Sequence, residues 1–294
     1  MFPSFLGIGA VRSGSTWLHV LLSSHPDVYL PEMRKELHYY DRNYHKGQAW
    51  YESWFPQAGA GEGYRAVGEI TPSYMYCPQA LERIRELKTV EKLLIILRNP
   101  VDRVYSHYRW QLRAGGTRGS FEQFLDEFPN AIDWSQYHRH LAPFVEAFHR
   151  DNVLVLISEE VFEDVATARK SLAEFLQIDE TRFPSGAGGN RVNASTIARF
   201  GGPFRIARKL GRKLRDMELD WIVEGAKRLG VPRLFGKSTK EVPRLSKQQR
   251  DRLYEVFHED IASLEELLER RIALWHRNEV NECSESQTSP VDIH

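Results

Sequence analysis

Apolar and polar positions alternate along the chain so as to divide it into short apolar runs, each followed by an amphipathic segment. Residues 5–10 (FLGIGA) form a run with β character that ends in a Gly/Ser-rich turn. Residues 16–24 follow with apolar positions at helical spacing (Trp17, Val20, Leu21) and stop at His25-Pro26. The plan returns at residues 92–97 (KLLIIL), a run of the kind buried on both sheet faces. There Arg98-Asn99-Pro100 turns into a helix with proline near its first position. Between them, residues 65–70 (RAVGEI) predict a strand and residues 80–87 a helix. Residues 153–157 (VLVLI) predict a further strand, followed by a helix running through Leu176.

Strands that alternate with helices predict an α/β fold in three layers. A central parallel sheet carries helices on both faces, with a P-loop-like phosphate-binding loop after the first strand. Beyond about residue 178 the character changes. Residues 183–194 are Gly/Ser/Asn-rich, and residues 204–229 and 246–275 are amphipathic and helical, predicting a helical C-terminal layer over 199–275. We expect one domain over 1–277 and a polar, frayed tail over 278–294.

Composition narrows the class. An apolar share of 41%, with 7 Trp, 12 Tyr and 15 Phe, suffices for a substantial core, so disorder is not the default expectation. Cys77 and Cys283 form neither a redox nor a ligand spacing and fit a reducing compartment. The histidines show no pairing with carboxylates at ligand spacing, so no metal is expected. Neither an apolar run of about 18 residues nor a signal-peptide pattern is present, so the expectation is a cytoplasmic protein without a membrane span. The net charge of zero conceals an asymmetry: residues 199–250 carry 15 Lys/Arg against 5 acids, and residues 251–294 carry 11 acids against 4. A solvated helical face accounts for the basic stretch most simply; an anionic substrate or polymer is the other reading. No nucleic-acid partner is expected.

The candidate chemistry starts in the first loop, Gly9-Ala10-Val11-Arg12-Ser13-Gly14-Ser15-Thr16. A loop between a buried strand and a helix converges backbone N–H groups on one point, and the helix dipole adds positive potential there. Gly9 and Gly14 have the spacing of a Walker A loop, with Thr16 in the Ser/Thr position, but Ser15 stands where that loop needs lysine. Strand 92–97 ends in Arg98 where a Walker B strand would carry Asp. A kinase with a degenerate lysine is therefore disfavoured. The second strand-to-helix turn offers another anion site: Arg98 at the sheet edge, and Ser106 two helical turns on and able to face back. Two anion sites on one edge suit a nucleotide phosphorylated at two separated positions.

These residues resemble the 3′-phosphoadenosine 5′-phosphosulfate (PAPS)-dependent sulfotransferases, most of all the heparan-modifying N- and 3-O-sulfotransferases and their soluble bacterial relatives. Arg12-Ser13-Gly14-Ser15-Thr16-Trp17-Leu18 is similar to their 5′-phosphosulfate loop. Arg98-Asn99-Pro100-Val101-Asp102-Arg103-Val104-Tyr105-Ser106 is similar to their 3′-phosphate motif. Lys35-Glu36-Leu37-His38-Tyr39-Tyr40, Trp50-Tyr51, the segment Gly68 to Tyr74, Gln136-Tyr137 with His140-Leu141, and the final helix at 264–275 also match, in order, over about residues 5–275.

The resemblance implies that Arg12 and the backbone N–H groups of Ser13, Gly14, Ser15 and Thr16 hold the phosphosulfate, Arg12 also acting at the reacting centre. It implies that Arg98 and Ser106 hold the 3′-phosphate, and that Arg191 lies in a basic loop over it. Trp17 either stacks on adenine, as in cytosolic relatives, or belongs to the core. Glu36 takes the place of the general base, with His38 assisting it or merely packed beside Tyr39 and Tyr40. Two positions depart from the pattern. Ile70 stands where the heparan enzymes carry a reacting-centre lysine, and Trp110 where relatives often carry histidine. The implied activity is sulfuryl transfer from PAPS, without a metal, to a hydroxyl or amine of a saccharide, lipid or secondary metabolite. The basic stretch favours an acceptor that is already anionic. The alternative is a non-catalytic protein of this fold that binds an anionic polymer.

Overall fold

Along residues 92–97 the two-residue period of a strand sends Leu93, Ile95 and Leu97 into one core and Leu94 and Ile96 into another. The other apolar runs behave in the same way, which makes them strands covered on both faces. The computed structural model describes residues 2–56, 63–189, 210–211, 213–215, 217–229 and 244–276. The strands are β1 (Phe5–Gly9), β2 (Val28–Tyr29), β3 (Ala66–Ile70), β4 (Lys92–Leu97) and β5 (Val153–Ile157). They form one parallel sheet in the order β2-β3-β1-β4-β5. The expected parallel sheet is therefore present, with β2 added at one edge.

Among the described residues the α-helices are α1 (Ser15–Ser23), α2 (Gln48–Glu52), α3 (Pro78–Glu86), α4 (Pro100–Ala114), α5 (Phe121–Glu127), α6 (Asn130–Asp133), α7 (Tyr137–Phe148), α8 (Ser158–Glu163), α9 (Val165–Leu176), α10 (Asp220–Arg228) and α11 (Lys247–Leu267). Helices α1 and α9 cover one sheet face, where Leu18, Leu21 and Leu172 pack with Phe5, Leu94 and Ile96. Helices α3, α4, α7 and α11 cover the other, where Ile84, Val104, Phe144 and Phe257 pack with Leu6, Ile8 and Ile95.

Two expectations change in detail. The helix after β5 is two helices, because Asp164 leaves the helical conformation and caps α9, accepting from the N–H groups of Ala166 (3.0 Å) and Thr167 (3.1 Å). The helix expected over 246–275 ends at Leu267, and Trp275 follows in a separate 3-10 turn (Ala273–Trp275). Leu253, Phe257, Ile261 and Leu264 lie at helical spacing and join the core against β1, β4 and β5. Residues 190–209 and 230–243, which carry much of the basic stretch, and the tail from residue 277 lie outside the described residues.

The topology decides where chemistry can occur. The chain runs from β1 towards β2 and β3 on one side, then crosses to β4 and β5 on the other. The turns after β1 and β4 therefore open side by side at the carboxyl edge, at the point where the strand order reverses.

Candidate functional site

The loop from β1 to α1 is pinned at its start by the Ala10 N–H, which donates to the Ile96 carbonyl at 2.9 Å. At its end Gly14 has φ 131°, a conformation side chains rarely adopt, and a Cβ there would lie 2.8 Å from Ile96 Cδ1. No side chain caps α1, and no acid stands in its first turn. Its first N–H groups and the positive end of its dipole thus face the loop without a competing carboxylate. Arg12, itself at φ 72°, reaches across to α4, where its Nη2 donates a long hydrogen bond of 3.4 Å to Ser106 Oγ. The two expected anion sites therefore meet at one guanidinium.

Arg98 follows β4, half-buried, and the Tyr137 hydroxyl donates to its carbonyl at 2.9 Å. Asn99 caps α4 through Oδ1, while its own N–H donates to Glu159 Oε1 at 3.0 Å. Arg103 points inward from the first turn of α4 and is fully buried. It donates to Ser135 Oγ at 2.6 Å, to the Ala131 carbonyl at 2.7 Å and to the Val11 carbonyl at 3.5 Å, tying α4 to the β1 loop. Burial, together with the like charges of Arg113, Arg98, Arg103 and Arg109, pushes the Arg12 guanidinium down to about 10. It remains charged at neutral pH in a region crowded with positive charge.

The segment carrying Glu36 lies on the opposite side of the cradle. Lys35 Nζ donates to Ser15 Oγ at 3.1 Å and to Glu36 Oε1 at 3.0 Å, so one ammonium joins the cradle to the carboxylate. His38 lies 3.4 Å from Glu36 Oε2 through Nε2 and 3.1 Å from Asp41 Oδ2 through Nδ1. Ser73 Oγ donates to the same Asp41 oxygen at 2.6 Å. Burial would lower His38, but its bonds to Asp41 and Glu36 outweigh this and raise it to about 9, an imidazolium donating from both nitrogens. Burial would raise Glu36; hydrogen bonding to His38 and the charge of Lys35 win and bring it down to about 2. Behind this chain Glu69 is fully buried at the end of β3, accepting from Tyr74 and Thr71, each at 2.6 Å. Burial pushes it up to about 7.

The structure thus gathers Arg12, Ser13, Gly14, Ser15, Thr16, Arg98, Ser106 and Glu36 along one sheet edge. Trp17 is the exception and corrects the stacking expectation. Its ring is 2% exposed, packs edge-on to Phe162 and donates from Nε1 to the Gly188 carbonyl at 2.8 Å. It has no face open to a base and belongs to the core under α1. Arg191 lies outside the described residues. Trp110 and His107 are neighbours, and His107 stacks on Trp134 with burial lowering it to about 3, a neutral ring of the core. Sequence reasoning missed Lys35, Asp41, Ser73 and Arg103. Lys35, Ser73 and Arg103 stand inside the matched segments without a role of their own, and Asp41 left a trace as a carboxylate three residues after a histidine. Among the described residues no helix is long and apolar enough to cross a membrane, and no group of His, Cys, Asp and Glu side chains has metal-holding geometry.

One edge of the α/β sheet thus carries a strand–loop–helix cradle of backbone N–H groups, a second cationic turn beside it and a carboxylate–imidazolium pair opposite. A family model for the sulfotransferase domain matches residues 3–186, more than half of the chain, and the chain belongs to that family. It is 31% identical over 183 residues to the mouse heparan sulfate glucosamine 3-O-sulfotransferase 3B1, a match covering 59% of this chain and 46% of that protein. It is 30% identical over 183 residues to the human heparan sulfate glucosamine 3-O-sulfotransferase 6, covering 60% and 52%. The chain thus spans about half the length of these curated relatives. The crystal structure of a sulfotransferase from Alicyclobacillus acidocaldarius shares the fold, with a TM-score of 0.67 and 22% identity over 94% of this chain and 99% of that one.

Proposed function

We propose that this chain transfers the sulfuryl group of PAPS to a hydroxyl or amine. The observation that supports this best is the meeting of three features at one sheet edge: the cradle at residues 10–16, its Arg12–Ser106 link to the second cationic turn, and Glu36 joined to the cradle by Lys35. Arg12 and the N–H groups of residues 13–16 hold the phosphosulfate, and Arg98 and Ser106 hold the 3′-phosphate. Glu36 takes the acceptor's proton as the acceptor's oxygen or nitrogen bonds to sulfur. The bond from sulfur to the 5′-phosphate oxygen breaks, and its electron pair stays with the phosphate. Charge develops on the sulfuryl and leaving oxygens, where preorganised donors lower the barrier.

By name, the curated relatives act on the glucosamine of heparan sulfate. A saccharide is accordingly the acceptor class proposed here, with lipid and secondary-metabolite hydroxyls as the other arms of the test. A cytoplasmic setting belongs to the same proposal, in keeping with two cysteines far apart in sequence.

Calorimetry with 3′,5′-ADP and with 5′-AMP tests the donor site. Charge-assisted hydrogen bonds to the extra phosphate are worth about 1.5–3 kcal/mol, so 3′,5′-ADP binds roughly ten- to a hundredfold tighter. Equal affinities would remove the roles given to Arg98 and Ser106. Transfer of ³⁵S from labelled PAPS into saccharide, lipid and small-metabolite pools then identifies the acceptor class.

A further inference from the structure

The position of Lys35 is unlike that of an ordinary ion-pair lysine. Its ammonium bonds at once to Ser15 Oγ, on the first residue of α1, and to Glu36 Oε1, at 3.1 and 3.0 Å. The pair is partly open to solvent, with side-chain exposures of 22% for Lys35 and 38% for Glu36. An ion pair of that kind adds little to stability. What it fixes is place: one cation lies between the lip of the phosphate cradle and the candidate base.

The rest of the cradle leaves this side to Lys35. Arg12 extends the other way, towards Ser106 on α4. The end of β3 brings no cation, because Ile70 is 1% exposed and faces Gly7. His19, the other basic group near this lip, is held neutral: burial and the charge of Lys35 lower it to about 4. The mobile, compact ammonium of lysine can change partners where a forked guanidinium locked in two bonds cannot.

Taking sulfuryl transfer as proposed above, we infer that Lys35 is a catalytic residue: its ammonium contacts the transferring sulfuryl group and leaving oxygen, and in moving onto them it releases Glu36 to take the acceptor's proton. A doubly charged phosphosulfate at Ser15 attracts the ammonium more strongly than the single carboxylate does. Relieved of Lys35, Glu36 becomes a stronger base at the moment when the acceptor needs one. Cation and base are thus coupled through a single side chain.

Lys35→Met and Lys35→Arg, assayed in the full chain for ³⁵S transfer from PAPS and for 3′,5′-ADP affinity, test this. The product nucleotide keeps the leaving oxygen but lacks the sulfuryl group, so Lys35→Met weakens 3′,5′-ADP binding by only about tenfold while kcat falls about 10²–10³-fold, the usual loss for one transition-state donor. Lys35→Arg recovers part of kcat. The acid limb of kcat/KM moves to higher pH in Lys35→Met, because the cation that holds Glu36 ionised is gone, and stays near its wild-type place in Lys35→Arg; the fall in kcat beyond the loss of 3′,5′-ADP affinity is what a merely structural lysine would not produce. A Lys35→Met kcat within threefold of wild type overturns the inference and leaves the donor site intact, as does an equal loss of kcat and 3′,5′-ADP affinity. Failure of the wild-type protein itself to bind 3′,5′-ADP would overturn sulfuryl transfer, and this role with it.

Discussion

Asp220→Ala takes the carboxylate from Arg34 and leaves a buried guanidinium behind. Arg34 and Asp220 are each 7% exposed and form a two-pronged pair, with Nε to Oδ1 at 2.8 Å and Nη2 to Oδ2 at 2.6 Å. The same Nη2 donates to the Arg215 carbonyl at 2.6 Å, and the guanidinium lies 5.2 Å from the Trp54 ring and 5.9 Å from the Trp50 ring. Removing one partner of a buried pair costs about 3–5 kcal/mol. The Trp faces and the Arg215 carbonyl remain, which places this case near the lower end. The segment around α10 buries little apolar surface to offset the loss: Met217 is 59% exposed, Trp221 65% and Leu229 86%. A further ion pair of this segment, Lys46 with Glu218 at 3.0 Å, is half-open to water.

The weaker structure therefore gives way first, and α10 leaves the body before the sheet unfolds. The ratio of docked to undocked α10 falls by roughly two powers of ten, since about 1.4 kcal/mol is tenfold. Limited proteolysis reads this directly as new cleavage within 213–229, while denaturant unfolding of the sheet changes little. Arg34 immediately precedes Lys35 and Glu36, so kcat drops as well. Pairing Asp220→Leu with Arg34→Met removes both charges and restores much of the docking. An Asp220→Ala protein with wild-type proteolysis and wild-type activity would show that the pair does not hold α10.

Three further outcomes follow from the site. Glu36→Gln keeps 3′,5′-ADP affinity but loses most transfer; a Gln variant turning over at the wild-type rate would exclude Glu36 as base. Gly14→Ala meets Ile96 at 2.8 Å and needs φ 131°, so it weakens nucleotide binding by well over tenfold, read by calorimetry; unchanged affinity would mean that the cradle adapts. His38 is raised in the folded protein to about 9 from an unfolded value of 6.5, so its stabilisation is complete below about pH 6.5 and is lost as pH rises through about 9. Denaturant melts of wild type and His38→Gln should converge towards alkaline pH, and parallel curves would refute the charged imidazole.

The parts legible in the sequence were those set by local periodicity and turn chemistry. β4 could be read because every position from Leu93 to Leu97 is apolar and both sheet faces are covered. The cradle could be read because Gly14 follows a strand and opens a helix. β2 has only two residues, too few to show a period. Trp17 was ambiguous because a large aromatic at a helix start looks the same whether it meets a base or Phe162. Lys35 looked like an ordinary neighbour of Glu36. Adjacency along the chain does not tell which way a long side chain turns, and only the fold brings Ser15 beneath it. The burial of Arg103 and Arg34 has no signal in the sequence, because their partners lie 32 and 186 residues away.

Arg103 carries a last implication. Its guanidinium holds the loop after β1 through the Val11 carbonyl and the α6 region through Ala131 and Ser135, while its own backbone belongs to α4. The spacing between the two cationic turns is thus gauged by one rigid, buried strut and not by the lengths of the loops. If the donor proposed above binds there, the separation of its two anionic groups is what this strut would measure.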